Sequence, residues 1–298
     1  MPAIESLSHL LSMKKLSNER IMHLFATAKH MEETDRLPSY QGRFAANLFL
    51  EPSTRTKSSF HIAERRLGMD VLHLDDAASS VTKGESLYDT LKTLESIGVD
   101  LAVVRQSERG ILQECTKGLN LSIVNAGDGC GEHPTQSLLD LYTIHEHFKS
   151  FKGLEVTIAG DLKHSRVARS NAHALKQLGA NVTFVTKPEW QDPTLTDQYI
   201  TMDEAVDRCD ALMLLRIQHE RHEQGASVLS YLDQFGLTKE REARMGEHSI
   251  ILHPAPVNRG VEIDSDLVES SKSRIFTQMK NGVTVRMAVI DALMKGEL

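Results

Sequence analysis

Short apolar runs alternate with amphipathic stretches along the whole chain. The runs at 44–50, 71–74, 101–104, 121–125, 156–160, 182–185, 211–215 and 249–252 are four to seven residues long, the length of buried strands. Between them, residues 56–67, 86–97, 135–148, 167–178 and 203–209 repeat apolar side chains at helical spacing. Strand and helix in strict alternation predict parallel sheets covered by helices on both faces, an α/β protein.

Eight strands are enough for two sheets. The helical stretch 135–148 is longer than its neighbours and runs into the polar Lys149-Ser150-Phe151-Lys152-Gly153, which marks it as a connection between domains. The last amphipathic stretch, 283–294, returns to the first domain. The expected architecture is therefore α/β, two doubly wound parallel-sheet domains joined by long helices: 1–134 plus 286–298, and 135–285. A length of 298 residues fits two domains.

Composition removes several classes of function. No apolar run reaches the roughly 20 residues of a membrane-spanning helix. A formal net charge of −7 lacks the basic footprint of nucleic-acid binding, so an anionic ligand must meet a local cluster of cations. Cys115, Cys130 and Cys209 are odd in number and far apart, the usage of a reducing compartment without structural zinc. Met1-Pro2-Ala3-Ile4-Glu5 has no basic start or apolar core, so the expected location is the cytoplasm.

Ligands of parallel α/β sheets sit beyond the carboxyl ends of the strands, so the residues following each apolar run carry the candidate chemistry. After Leu50 comes Glu51-Pro52-Ser53-Thr54-Arg55-Thr56, which places hydroxyls and an arginine at a helix start. Ser53 or Thr54 could be a simple N-cap. Arg55, however, opposes the helix dipole unless an anion lies between them, and this favours a phosphate site. The Gly-x-x-x-x-Gly-Lys-Ser/Thr pattern of a P-loop is absent. Arg105 directly follows 101–104 and emerges at the same edge. Gly127 to Gly131 permit tight turns, Pro134 suits a first helical position, and His133 then stands at or near the N-cap. A helix start favours the neutral imidazole, which can donate an N–H to a carbonyl oxygen.

In the second half, Asp161-Leu162-Lys163-His164-Ser165-Arg166 and Arg216-Ile217-Gln218 again put cations just beyond strands. An arginine fork suits carboxylates. Lys83, in the small polar stretch 75–86, reads by itself as a solvated lysine. His145 and His147 point in different directions, and His219 and His222 complete no zinc pattern, so no metal or other cofactor is expected.

These segments together resemble the aspartate/ornithine carbamoyltransferase superfamily, and within it the aspartate-specific catalytic chains. The resemblance spans nearly the whole chain: Ser53-Thr54-Arg55-Thr56, Lys83-Gly84-Glu85, Arg105, His133-Pro134-Thr135-Gln136, Asp161-Leu162-Lys163 through Arg166, Arg216-Ile217-Gln218 and His253-Pro254-Ala255-Pro256. Ornithine enzymes typically carry Ser-Met-Gly and His-Cys-Leu-Pro segments, and the turn here reads His253-Pro254-Ala255-Pro256. The resemblance implies transfer of a carbamoyl group from carbamoyl phosphate to L-aspartate, a step of pyrimidine synthesis. Its alternatives are another acceptor such as ornithine, or a non-catalytic anion-binding protein of the same fold.

The resemblance also implies roles. Ser53, Thr54, Arg55 and Thr56 bind phosphate, and Arg105 reaches phosphate and carbonyl. Thr56, Arg105 and His133 polarise the carbonyl oxygen. Gln136 and the backbone of Pro254, Ala255 and Pro256 hold the carbamoyl nitrogen. Arg166 holds the α-carboxylate of aspartate, and Arg216 with Gln218 the β-carboxylate. Lys83, with Ser79 or Ser80, enters from the adjacent subunit of a homotrimer with shared active sites, so that Arg55, Thr56, Lys83, Arg105 and His133 form the catalytic set. A regulatory or dihydroorotase partner would be a separate polypeptide and leaves no signature in this chain.

Overall fold

A computed structural model describes residues 8–75, 84–129, 131–217 and 228–298. The chain forms two units, one running to Leu138 and resuming at Lys280, the other spanning Leu139–Met279. Lys83, Ser79, Ser80, Gln218 and Cys130 lie outside the described residues.

The first unit is built on a parallel sheet of β1 (His9–Leu10), β2 (Phe44–Phe49), β3 (Asp70–Asp75), β4 (Leu101–Gln106) and β5 (Ser122–Asp128), in the order β1-β5-β4-β2-β3. Its helices are α1 (Asn18–Glu33), α2 (Thr54–Arg66), α3 (Leu87–Ser96) and α4 (Ile111–Cys115). Pleating separates two faces. Ala46 and Leu48 of β2 join Ala102 and Val104 of β4, Ile123 of β5 and Leu87, Leu91 and Leu94 of α3 in one apolar cluster. On the opposite face, Asn47 donates from Nδ2 to Glu64 of α2 at 2.7 Å, and both residues are fully buried.

The strand pattern predicted neither β1, two residues long, nor α1. The latter was legible, because Ile21, Leu24, Phe25, Ala28 and Met31 are buried at helical spacing and Ser17 caps the start by accepting the Arg20 N–H.

The second unit carries a parallel sheet of β6 (Glu155–Ala159), β7 (Asn181–Val185), β8 (Ala211–Leu214) and β9 (Ile250–Leu252), ordered β7-β6-β8-β9. Around it stand α6 (Arg166–Gln177), α7 (Met202–Val206), α8 (Val228–Phe235) and α9 (Lys239–Glu242). Ala159, Leu212, Leu214 and Ile251 of the sheet pack with Met202, Ala205, Val206 and Leu237. The expected helix at 203–209 is shorter than its apolar pattern. It opens with a capping box between Thr201 and Glu204 and gives way to a turn at Asp207.

Two helices carry the chain between the units: α5 (Pro134–Phe148) and α10 (Ile275–Lys295). Within the first unit, α10 is anchored by polar contacts. The Arg286 Nη1 donates to Ser59 Oγ of α2 at 3.0 Å, its guanidinium lies 4.9 Å from the Phe60 ring centre, and the Tyr40 hydroxyl donates to Asp291 at 2.6 Å. Among the described residues, no helix is long and apolar enough to cross a membrane.

Candidate active site

Three strands of the first sheet, β5, β4 and β2, end side by side. The chain leaves β2 toward β3 and leaves β4 toward β5, on opposite sides. The gap between β2 and β4 is therefore the topological switch point, where a parallel sheet opens a crevice. Register sets Arg105 opposite Phe49, and the Leu50 N–H donates to the Arg105 carbonyl at 2.8 Å. From there the guanidinium spans both neighbours: Nη1 donates to the Ala126 carbonyl at 3.3 Å, and Nε lies 3.6 Å from the Glu51 carboxylate.

Helix α2 starts three residues after Glu51, with Ser53 in the N-cap place. Elsewhere Ser17, Ser86, Ser165, Thr201 and Thr238 each spend their hydroxyl accepting an N–H of the helix they precede. Ser53 makes no such bond. The simple capping role is thus not played, and the first turn presents its N–H groups, the Ser53 and Thr54 hydroxyls and the exposed Arg55 at the switch point. Thr56 points inward and is buried.

His133 completes this edge from β5. Its carbonyl accepts the N–H groups of Gln136 and Ser137 at 3.0 and 3.2 Å, which fixes it as the N-cap of α5, and its side chain is buried. The glycines before it are steric requirements. Gly127 and Gly129 have φ of +125° and +50°, and a side chain on Gly131 would collide with the Asp128 carboxylate, which accepts the Glu132 N–H. Gln136 is half-buried on the first turn.

The second unit repeats the logic. Its chain leaves β6 toward β7 and β8 toward β9, so its switch point lies between β6 and β8. These two strand ends approach closely: a Cβ on Gly160, at φ +137°, would stand 2.7 Å from the Leu215 Cβ. Beyond Gly160, the buried Asp161 carboxylate accepts the His164 N–H at 3.1 Å and holds the His164 ring at 2.9 Å, and Ser165 caps α6 by accepting the Ala168 N–H. Arg166 is the first residue of that helix, and Arg216 follows β8 by two residues. After β9, His253-Pro254-Ala255-Pro256 forms a tight turn with Ala255 at φ +55°, a left-handed conformation that a residue with a Cβ rarely adopts.

Ser53, Thr54, Arg55, Thr56, Arg105, His133 and Gln136 are thus gathered on the first unit, and Arg166, Arg216, Ala255 and Pro256 on the ligand edge of the second. Sequence reasoning assigned no role to Glu51, which faces Arg105, to Asn258, Glu262 and Gln278, which are hydrogen-bonded around the second unit's turn, or to Asp140, which Gln278 and Asn171 hold. A lone acid inside the apolar run Leu138-Leu139-Asp140-Leu141 was the available signal for one of them. Among the described residues, no group of three His, Cys, Asp or Glu side chains is placed to hold a metal ion.

Two α/β units, each setting arginines beyond the switch point of a parallel sheet, define a class of protein that binds anionic ligands at its sheet edges. Residues 8–146 match the family description "Aspartate/ornithine carbamoyltransferase, carbamoyl-P binding domain", and residues 152–293 match "Aspartate/ornithine carbamoyltransferase, Asp/Orn binding domain". The aspartate carbamoyltransferase catalytic subunit of Staphylococcus epidermidis is 54% identical over 294 residues, covering 97% of this chain and all of that relative. The catalytic subunit of M. jannaschii aspartate transcarbamoylase superposes with a TM-score of 0.87 at 34% identity, over 97% of this chain and 98% of the other. The Trypanosoma cruzi aspartate transcarbamoylase in complex with carbamoyl aspartate and phosphate gives 0.84 at 30% identity, over 97% of each chain. The chain belongs to the aspartate/ornithine carbamoyltransferase family, and within it to the aspartate carbamoyltransferase catalytic chains.

Proposed function

We propose that this chain transfers the carbamoyl group of carbamoyl phosphate to the amino group of L-aspartate, giving N-carbamoyl-L-aspartate for pyrimidine synthesis and releasing phosphate. The observation that carries this reading is the convergence of Arg105, the uncapped helix start at Ser53–Thr56 and His133 on three adjacent strand ends.

Phosphate is held by the α2 amides, the Ser53 and Thr54 hydroxyls, Arg55 and Arg105. Thr56, Arg105 and His133 donate to the carbonyl oxygen, while Gln136 and the backbone at Pro254, Ala255 and Pro256 orient the carbamoyl nitrogen. Arg166 binds the α-carboxylate of aspartate, and Arg216 with Gln218 the β-carboxylate. The neutral amine attacks the carbonyl carbon, and negative charge grows on the oxygen against preorganised donors. The bond from carbon to the phosphate oxygen then breaks. The amine sheds one proton, and the departing phosphate takes it. No covalent enzyme intermediate is required, so positioning supplies much of the rate.

The working form is a cytoplasmic homotrimer in which Lys83 and a serine, Ser79 or Ser80, serve the neighbouring site. Supporting this, β3 ends its sheet, and Leu72 on it and Ile62 on α2 are 39% and 43% exposed, an apolar edge suited to a second copy. The deciding experiment offers labelled carbamoyl phosphate with aspartate and ornithine side by side. Labelled N-carbamoyl-L-aspartate is the expected product; label appearing only on ornithine would overturn the assignment.

A further inference from the structure

The second unit contains a run of hydrogen bonds, buried at its start and part-buried at its end, that reaches from α6 to the segment carrying Arg216. Asn171 of α6 donates to Asp140 at 2.8 Å, and Gln278 donates to the other oxygen of Asp140 at 2.7 Å. The Gln278 carbonyl accepts the His253 N–H at 2.9 Å. The His253 ring, itself buried, accepts the Ala255 N–H on Nδ1 at 2.9 Å, which leaves Nε2 protonated to donate to Glu262 at 2.9 Å. The same Glu262 oxygen accepts the Asn258 N–H at 2.6 Å. Finally, the Asn258 Nδ2 donates to the carbonyl of Ile217 at 2.9 Å.

Ile217 sits between Arg216 and Gln218, and its own side chain is buried against Trp190, Tyr231 and Val261. That apolar contact holds the Ile217 side chain but does not fix the rotation of its peptide group. The Asn258 amide does, because a hydrogen bond to the carbonyl selects one orientation of the plane that leads into Gln218. Asn258 is in turn held by the carboxylate that orients His253, and His253 holds the Ala255 N–H in the left-handed turn. One short polar path therefore joins the turn at Pro254–Pro256 to Ile217, the residue after Arg216.

We propose that Asn258 is a positioning residue for the aspartate site: it sets Arg216 and Ile217 at a fixed spacing from the His253–Pro256 turn without touching substrate. This rests on the assignment of Arg216 and Gln218 to the β-carboxylate of aspartate. Asn258→Ala removes the donor to Ile217 and leaves the backbone bond to Glu262 intact. Asn258→Asp keeps the shape and puts an acceptor where the donor stood.

The test is steady-state kinetics on both full-length variants, with Arg216→Ala alongside. Competitive inhibition by succinate, a dicarboxylate without the amine, and by inorganic phosphate is measured in parallel. Loss of the hydrogen bond that orients the backbone beside Arg216 predicts that both Asn258 variants raise the aspartate KM and the succinate inhibition constant by about tenfold. The carbamoyl phosphate KM and phosphate inhibition should stay within about twofold of the parent, since the phosphate groups lie on the other unit and the backbone bonds that hold the Pro254–Pro256 turn are kept in both variants. An unchanged aspartate KM in both Asn258 variants, with a raised one in Arg216→Ala, overturns the positioning role and spares the site assignment. An unchanged aspartate KM in Arg216→Ala overturns the assignment itself. Equal losses toward both substrates together with a lowered melting temperature would make Asn258 structural only.

Discussion

Glu64 carries an unusual charge problem for a single side chain. It lies on the buried face of α2, and burial pushes its carboxyl up from 4.5 to about 7, against the opposing hydrogen bond from Asn47. One of its oxygens and the Asn47 carbonyl oxygen have no hydrogen-bond partner. A carboxyl whose folded pKa is raised contributes stability that is fully present below the unfolded value and is lost as pH rises through the folded one. Glu64 should therefore weaken the fold between pH 4.5 and 7, by about 3 kcal/mol in all. Glu64→Gln cannot ionise, so it should melt higher than the parent at pH 8 and close to it at pH 5. Melting curves at the two pH values check this, and a parallel pH dependence in both proteins would remove Glu64 as the cause. The sequence did not reveal this residue, because Glu64 stands among Lys57, His61, Arg65 and Arg66 in a segment that looks like a solvated face.

At the scale of elements, the N-termini of α1 and α2 differ in their serines: one caps its helix and the other does not. Ser17 accepts the Arg20 N–H at 3.3 Å and caps α1, whereas Ser53 caps nothing. Ser17→Ala should cost about 1 kcal/mol and lower the melting temperature by roughly 2–4 °C, with kinetics unchanged. Ser53→Ala should leave the melting temperature alone and raise the carbamoyl phosphate KM about tenfold, the worth of one hydrogen bond to a charged group. Thermal melts paired with initial-rate measurements distinguish the two; a Ser53 variant that melts low with normal kinetics would return Ser53 to a plain cap. Both serines look alike in the sequence, each a Ser before a helical run. The difference is set by the backbone at Ser53, which leaves β2 at the switch point with ψ of 84° instead of the 162° that turns the Ser17 hydroxyl onto its helix.

For the whole molecule, the prediction concerns how many copies make a site. If Lys83 serves a neighbouring subunit, mixing an Arg55→Ala chain with a Lys83→Ala chain restores some sites in which both residues are intact. Each variant alone should be nearly inactive. Hybrids formed by dissociation and reassociation should recover a measurable part of the parent activity, and sedimentation of the parent chain should give a trimer. Hybrids that stay inactive, or a parent chain that sediments as a monomer, would place all the groups of a site on one chain.

Periodicity alone was enough for the class of fold: eight of the strands follow from short apolar runs, because a strand buried on both faces must be apolar along its length. It also indicated that Arg55, Arg105, His133, Arg166 and Arg216 each follow a strand, and hence that they stand at ligand edges. What periodicity does not contain is strand order. Arg55 and Arg105 are 50 positions apart in the chain, and only the order β1-β5-β4-β2-β3 makes their strands neighbours across a switch point. The same holds for the uncapped Ser53 and for the path from Asn171 to Ile217, whose links depend on distances between side chains from separate elements. Local patterns record which residues face inward, since burial acts on each residue separately; which buried or edge groups meet is decided by packing between distant segments, and that exists only in the folded chain.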